Sequence, residues 1–262
     1  HGISHLPDTR FQLVTSLAPA QMEAVEAMRD KGLDVKVFPS RETVYFENTY
    51  SADQNHRTQR VLHKADPFRE EYLADLHADY FHLGSLLADD FSVPFIQQLS
   101  AKGRVSLDVQ GMLRRVEGTR VVPCDWAEQA EVLPSVDILK VNEQEMTVLT
   151  GETGAGKSAL LETDVLAAAR RLAAWGVREV VITQGSMGSH IYKEGQLIAI
   201  PAYPPHPLVD ATGCGDTYMT GYLYQRARGA DCQQAGRFAA AMSTIKLQHY
   251  GPFEGSIEEV VE

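Results

Sequence analysis

From about Tyr80 onward the chain alternates short β-rich runs with helical stretches, and this alternation limits the available folds more than any single motif does. Strand candidates lie at Tyr80 to Leu83, Val105 to Val109, Val136 to Val141 and Glu179 to Thr183. Helical segments separate them, such as Phe91 to Ala101 and the Ala-, Leu- and Arg-rich stretch Asp164 to Trp175, which Gly176 stops. Such a pattern predicts an α/β fold, a doubly wound and mostly parallel sheet covered by helices on both faces. Two further β runs, Ser189 to Lys193 and Gln196 to Ile200, turn around Glu194-Gly195, and helical stretches at about Gly213 to Arg228 and Asp231 to Gln248 close the chain. Nearer the start, Phe11 to Thr15 and Leu33 to Phe38 read as strands around a helix that runs from Pro19 through Met28. Thr43 to Tyr50 and Arg57 to Leu62 flank the polar turn Ser51 to Asn55, a hairpin with part-polar strands that could stand apart from the main sheet.

Composition narrows the partners. Among 262 residues, 24 Lys and Arg face 35 Asp and Glu, a formal net charge of −11 that repels phosphate backbones and anionic membranes. A phosphate-bearing ligand must then be held by local backbone dipoles, a metal ion or a few placed bases. No apolar run approaches the length of a membrane span. Cys124, Cys214 and Cys232 have neither the number nor the spacing of a disulfide framework or zinc site, so a reducing cytoplasm is the expected setting.

Two glycine-rich segments compete for a phosphate. Gly151-Glu152-Thr153-Gly154-Ala155-Gly156-Lys157-Ser158 matches the full phosphate-loop pattern of nucleotide-hydrolysing proteins. That loop needs a strand immediately before its first glycine, and a later apolar strand ending in an acidic residue; Val180-Val181-Ile182 ends instead in Thr183 and Gln184. In Asp210-Ala211-Thr212-Gly213-Cys214-Gly215-Asp216-Thr217, two glycines bracket one residue where a helix should begin. Successive N–H groups can converge there on an anion with the helix dipole behind them. Asp216, in the first turn, is placed to take a proton from a hydroxyl attacking a bound phosphate. The plainer alternative is a tight turn with an acid that favours a helix N-terminus.

The second segment resembles the D-T-x-G-A-G-D signature of the ribokinase-like (PfkB) carbohydrate kinases, with Ala211 and Cys214 in place of threonine and alanine. Asn142-Glu143-Gln144-Glu145 after the strand Ile138 to Val141 resembles that family's N-x-x-E motif. Thr183-Gln184-Gly185-Ser186-Met187-Gly188 is similar to its T-x-G-x-x-G nucleotide loop, and Asp108 and Gln110, with Arg114 a little further on, to its D-x-N-x-R segment, with glutamine for asparagine. In that family the N-x-x-E helix ends in Thr-Gly, which makes Glu143 to Thr150 a helix with Gly151 as its C-cap and leaves Lys157 and Ser158 ordinary residues.

The resemblance implies an ATP-dependent kinase with Mg²⁺, acting on a hydroxyl of a small sugar, sugar acid or nucleoside. It makes Asp216 the base and the N–H groups of Gly213, Cys214 and Gly215 the anion hole. Asn142 and Glu145 would orient Mg²⁺ and its waters, Thr183, Gly185 and Gly188 would line the nucleotide, and Asp210 would hold a monovalent cation, K⁺, that orders the anion hole. The plainer alternatives are that Asn142 and Glu145 form a capping box, that Gly185 and Gly188 are turn residues, and that Asp108 is a helix-start acceptor. His82, His190 and His249 show no pairing in the sequence and read as structural or exposed. The resemblance also implies one kinase domain over residues 1–262, with the 43–62 hairpin as part of a β lid over the acceptor. Tyr45, Phe46 and Tyr50 would give that hairpin apolar faces for a ligand, for a homodimer partner or for its own domain. The family's first strand, acidic substrate contact and Gly-Gly turn have no counterpart; His1 to Leu6 resembles the later turns of the helix that follows them.

Overall fold

Val180, Val181 and Ile182 are fully buried on both faces of their strand, as a central strand of a covered parallel sheet requires. The structure, a computed structural model, describes residues 2–7, 10–50, 57–151 and 161–261. Its first elements are β1 (Leu13–Leu17), α1 (Met22–Arg29), β2 (Val35–Pro39), β3 (Tyr45–Tyr50) and β4 (Arg57–His63). The middle of the chain forms β5 (Tyr80–Gly84), α2 (Val93–Ser100), β6 (Arg104–Asp108), β7 (Arg114–Glu117), β8 (Arg120–Pro123) and α3 (Gln129–Val132). Then follow β9 (Ile138–Asn142), α4 (Glu143–Thr150), α5 (Glu162–Ala174), β10 (Glu179–Thr183), β11 (Ser189–Lys193) and β12 (Gln196–Ile200). Three helices end the fold, α6 (Cys214–Ala227), α7 (Cys232–Leu247) and α8 (Ile257–Val261).

The main sheet has the order β12-β11-β10-β9-β6-β5, in which β5, β6, β9 and β10 are parallel and the β11–β12 hairpin is antiparallel. Alternation along each strand sends side chains to opposite faces. Val105, Leu107, Leu139, Val141, Val180 and Ile182 face a core completed by α2 and α5, whereas Ile138, Val181 and Ile191 face α6 and α7. A separate parallel pair, β1–β2, packs around α1, Val25 and Leu33.

The third sheet extends the sequence reading: the β3–β4 hairpin lies apart from the main sheet, as expected, and has further strands beside it. Strand β4 pairs with β8, and β8 with β7, in a four-stranded antiparallel sheet of order β3-β4-β8-β7. Residues Arg114 to Pro123 were expected only to supply Arg114 to a motif; they form the second hairpin, around Gly118 at φ 63°.

At the far end from the C-terminal tips of the strands, Glu179 opens β10 with 3% exposure. Its Oε1 accepts from Tyr222 Oη at 2.5 Å and from Arg226 Nε at 3.1 Å, and its Oε2 accepts from Arg226 Nη2 at 2.9 Å. Burial alone would raise this carboxyl's pKa; the bonds from Arg226 and Tyr222 bring it below its usual value. The contact fastens the last turn of α6 to the start of β10, so the first turn of α6 lies over the C-terminal strand ends. Arg226→Met leaves the buried Glu179 with only Lys193, 3.6 Å from Oε2, as counter-charge and is expected to lower stability in urea unfolding by about 3 kcal/mol, with much of the loss recovered in the neutral pair Glu179→Gln/Arg226→Met.

Candidate active site

On the face of the sheet that looks toward α6, the strands turn polar toward their C-terminal ends. Ser106 and Asp108 of β6 and Lys140 and Asn142 of β9 alternate with the apolar residues of the opposite face. Asp108 and Lys140 are register partners in the parallel pairing, as are Asn142 and Thr183. The register sets Lys140 Nζ 2.9 Å from Asp108 Oδ2, an ion pair with side chains only 6% and 9% exposed. Buried lysines need such a partner, because an isolated ammonium in a protein interior is strongly disfavoured.

Above this pair the first turn of α6 begins. Gly213 takes a left-handed conformation (φ 77°) as N-cap, a turn that glycine makes without cost. Gly215 sits directly over the lysine: a Cβ there would lie 3.4 Å from Lys140 Nζ and 3.6 Å from its Cε. No described residue accepts from the N–H groups of Gly213, Gly215 or Asp216. Cys214 differs from the sequence expectation, because the left-handed turn at Gly213 directs its N–H back to Ala211 O at 3.3 Å. The donors aimed outward are therefore those of Gly213, Gly215 and Asp216, with the helix dipole behind and an ammonium beside them.

Asp216 opens to solvent at this end of the sheet. Burial against the surrounding protein raises its pKa, Asp108 raises it further, and Lys140 opposes both. Glu145 is 8% exposed and likewise raised, first by burial and then by Asp108, against Lys140, the N–H of Asn142 and Arg114. One lysine thus lies in the field of three carboxyl groups. Sequence reasoning passed over it, although a charged residue in the otherwise apolar run Ile138-Leu139-Lys140-Val141 signals a buried pair.

Asn142 and Glu145 form a full capping box on α4. Asn142 Oδ1 accepts from Glu145 N at 2.9 Å, and Glu145 Oε2 accepts from Asn142 N at 2.7 Å. Among the described residues no three metal-ligating side chains converge. A Mg²⁺ ion carried on phosphates needs only one or two carboxylates and keeps several waters, a demand that Glu145 with Asn142 fits.

Thr183 ends β10 beside Asn142, and its Oγ1 donates to Val141 O at 3.5 Å. Gly185 (φ 55°) and Gly188 (φ 92°) bound the short turn after it. A Cβ on Gly188 would lie 2.3 Å from Ile200 O, so this glycine is required by close packing as well as by backbone geometry. Of His82, His190 and His249, the first two have polar side-chain partners and the third is exposed, in keeping with the reading of these residues as structural or exposed. His190 Nδ1 lies 2.5 Å from Gln184 Oε1, whose amide donates to Glu143 at 2.8 Å, and His82 Nδ1 lies 3.0 Å from Ser106 Oγ.

Asp210 also differs from its expected role as a cation ligand. Its carboxyl is held near a pKa of about 2 by the Thr212 N–H and by the ammonium of Lys246, which lies 2.9 Å from Oδ2. The competing phosphate-loop motif is preceded by α4 and not by a strand, and Gly151 (φ 65°) is the left-handed C-cap of that helix. Lys157 and Ser158 lie outside the described residues.

The sequence pattern of the pfkB family carbohydrate kinases matches residues 43–259. Over 192 residues, 71% of this chain, the sequence is 29% identical to a cytidine kinase of Thermococcus kodakarensis, and that match spans 60% of the cytidine kinase's length. In structure, the chain is similar to a sulfate complex of a pyrophosphate-dependent kinase in the ribokinase family, with a TM-score of 0.85 at 25% identity, covering 99% of this chain and 88% of the other. It also shares its fold with Arabidopsis thaliana ribokinase complexed with ribose and ATP, with a TM-score of 0.76 at 20% identity, over 99% and 83% of the two chains.

The capping box holds α4 whatever ligand Glu145 meets. Asn142→Ala is expected to cost about 1 kcal/mol in chemical denaturation, whereas Asn142→Asp keeps the cap and most of that stability.

Proposed function

The chain belongs to the pfkB family of carbohydrate kinases, and from that premise we propose that it transfers a phosphoryl group from ATP to a hydroxyl of a small sugar, sugar acid or nucleoside. The observation that carries this reading is the meeting, at the first turn of α6, of outward N–H donors, a buried ammonium and a carboxyl whose pKa is raised. Asp216 accepts the proton of the acceptor hydroxyl as its oxygen bonds to the γ-phosphorus and the bond from that phosphorus to the bridging oxygen breaks. Its upward shift brings it closer to the pH at which a base accepts a proton well and still remains ionised.

The N–H groups of Gly213 and Gly215 and the ammonium of Lys140 stabilise negative charge on the group in transit. Because Gly215 lacks a side chain, nothing stands between that ammonium and the hole. Asn142 and Glu145 would hold Mg²⁺ through its waters, and the ion would supply positive charge to neutralise the donor phosphates. Thr183, Gly185 and Gly188 line the donor. The four-stranded sheet β3-β4-β8-β7 serves as the lid over the acceptor.

A second reading concerns only the donor. Similarity at a TM-score of 0.85 to a pyrophosphate-dependent kinase favours trying pyrophosphate in place of ATP. The outward N–H groups and Lys140 address phosphate alone and suit either donor.

The test is ³¹P NMR of mixtures of the protein, Mg²⁺ and ATP or pyrophosphate, with ribose, fructose, 2-keto-3-deoxygluconate, cytidine and myo-inositol in turn. A new phosphomonoester is expected with one acceptor class, and its absence throughout the panel counts against the reading. Asp216→Asn is expected to lower turnover by about 10²–10⁴-fold while the donor still binds; wild-type turnover in this variant rules Asp216 out as the base. The pH profile supplies a signed check. Lys140 lowers the pKa of Asp216, so Lys140→Met moves the acid limb of kcat/KM to higher pH. Asp108 raises that pKa, so Asp108→Asn moves the limb to lower pH.

A further inference from the structure

Lys246 projects from α7 with its side chain 1% exposed. Its ammonium donates to Asp210 Oδ2 and to the Asp210 carbonyl, each at 2.9 Å. The other carboxylate oxygen of Asp210 accepts from Thr212 N at 2.9 Å. On the same stretch of α7, Leu247 O accepts from the N–H groups of Val209 and Asp210, and Ser243 Oγ donates to Cys214 O at 3.3 Å. Three successive contacts along α7 therefore fix residues 209 to 214, the segment that delivers Gly213, Gly215 and Asp216 to the site.

A monovalent cation that ordered this loop would need the carboxylate of Asp210 together with backbone carbonyls, because a hard cation takes oxygen ligands. Those oxygens already receive a full positive charge of similar size, tethered by a four-carbon stem. A second cation at Oδ2 and the Asp210 carbonyl would meet the buried ammonium at contact distance, where two like charges repel although the carboxylate itself is part-exposed. The residues present do not fit an added K⁺.

We propose that Lys246 is a built-in cation: a positioning residue that takes the place of a monovalent ion beneath the anion-hole loop and makes the loop's order independent of K⁺. The inference rests on the reading of Gly213 to Asp216 as the anion hole only for its catalytic consequence; its structural content can be tested without a substrate.

The experiment compares wild type, Lys246→Ala and Lys246→Met by thermal unfolding in choline, sodium and potassium chloride at equal ionic strength. Each is measured with and without Mg²⁺–ATP or Mg²⁺–pyrophosphate. Wild type is expected to show the same Tm in all three salts and the same rise on adding donor. Lys246→Ala vacates the space beside Asp210, so its Tm is expected to be lower in choline and to recover by about 3 °C or more in K⁺ at about 100 mM. Lys246→Met fills that space without charge and is expected to show no such recovery. A K⁺-specific rise in wild type overturns the proposal, and so does a Lys246→Ala protein whose Tm and donor response in choline equal those of wild type. If Lys246→Ala does not fold, the neutral pair Asp210→Asn/Lys246→Met replaces it: a weakened donor response that K⁺ leaves unchanged is expected, and a full response overturns the proposal. A wild-type protein that answers neither donor in any salt counts against the kinase reading, while the bare Tm values still decide the role of Lys246.

Discussion

The ion pair between Lys140 and Asp108 is a register contact before it is an electrostatic one. β6 and β9 run parallel with Asp108 opposite Lys140, so the two side chains leave the same face at the same height and meet under the first turn of α6. A shift of one residue in either strand would send one of them to the face shared with α2 and α5, where an unpaired charge would be buried in an apolar core. Fixing the register also fixes how far Asn142 and Thr183 reach, since β9 and β10 are aligned by the next parallel pairing. The site is level because its strands are.

Charge in the sheet interior is arranged at two ends with different consequences. Glu179 opens β10 and receives Arg226 and Tyr222 of α6, with Cys232 of α7 and Lys193 of β11 also at its carboxylate. Asp108 and Lys140 lie at the opposite end of the same face, under N–H groups to which no described residue bonds. The first group is closed and anchors a helix. The second is incomplete by itself, and an anion at the start of α6 would complete it. An acidic chain can therefore accept a phosphate here without a basic surface, because the required positive character is interior and local.

The apolar strands were legible in the sequence because short apolar runs bounded by Gly and polar residues have few other fates, continuous in Val180-Val181-Ile182 and interrupted in the pair that turns at Glu194-Gly195; β10, β11 and β12 match their expected residues. The hairpin Arg114–Pro123 was not read as one. Its strands are short, charged and alternately exposed, and only Gly118 between Val116-Glu117 and Thr119-Arg120 marked the turn. Asp216, Gly213 and Gly215 were legible because spacing alone puts them at a helix start. Lys140 and Lys246 were not, because a lysine in an apolar run names no partner: Asp108 and Asp210 are 32 and 36 residues away in the chain and become neighbours only through sheet register and helix packing. Asp210 shows the cost of that blindness, since a carboxylate that looked available to a cation already has one.

The four-stranded sheet has two roots, and this governs how it can move. One hairpin leaves after β2; the other leaves β6 only a few residues beyond Asp108, through the buried turn Gly111–Leu113. At that turn a Cβ on Gly111 would lie 2.4 Å from Ser85, whose hydroxyl in turn donates to Asp108 O at 3.1 Å. A flap on a single hinge swings freely, whereas this sheet is joined to the body by both ends of both hairpins, four chain crossings that restrain any swing. One of those crossings abuts the strand end that carries Asp108, so load placed on the sheet reaches the Lys140 pair through a backbone turn with no slack to absorb it.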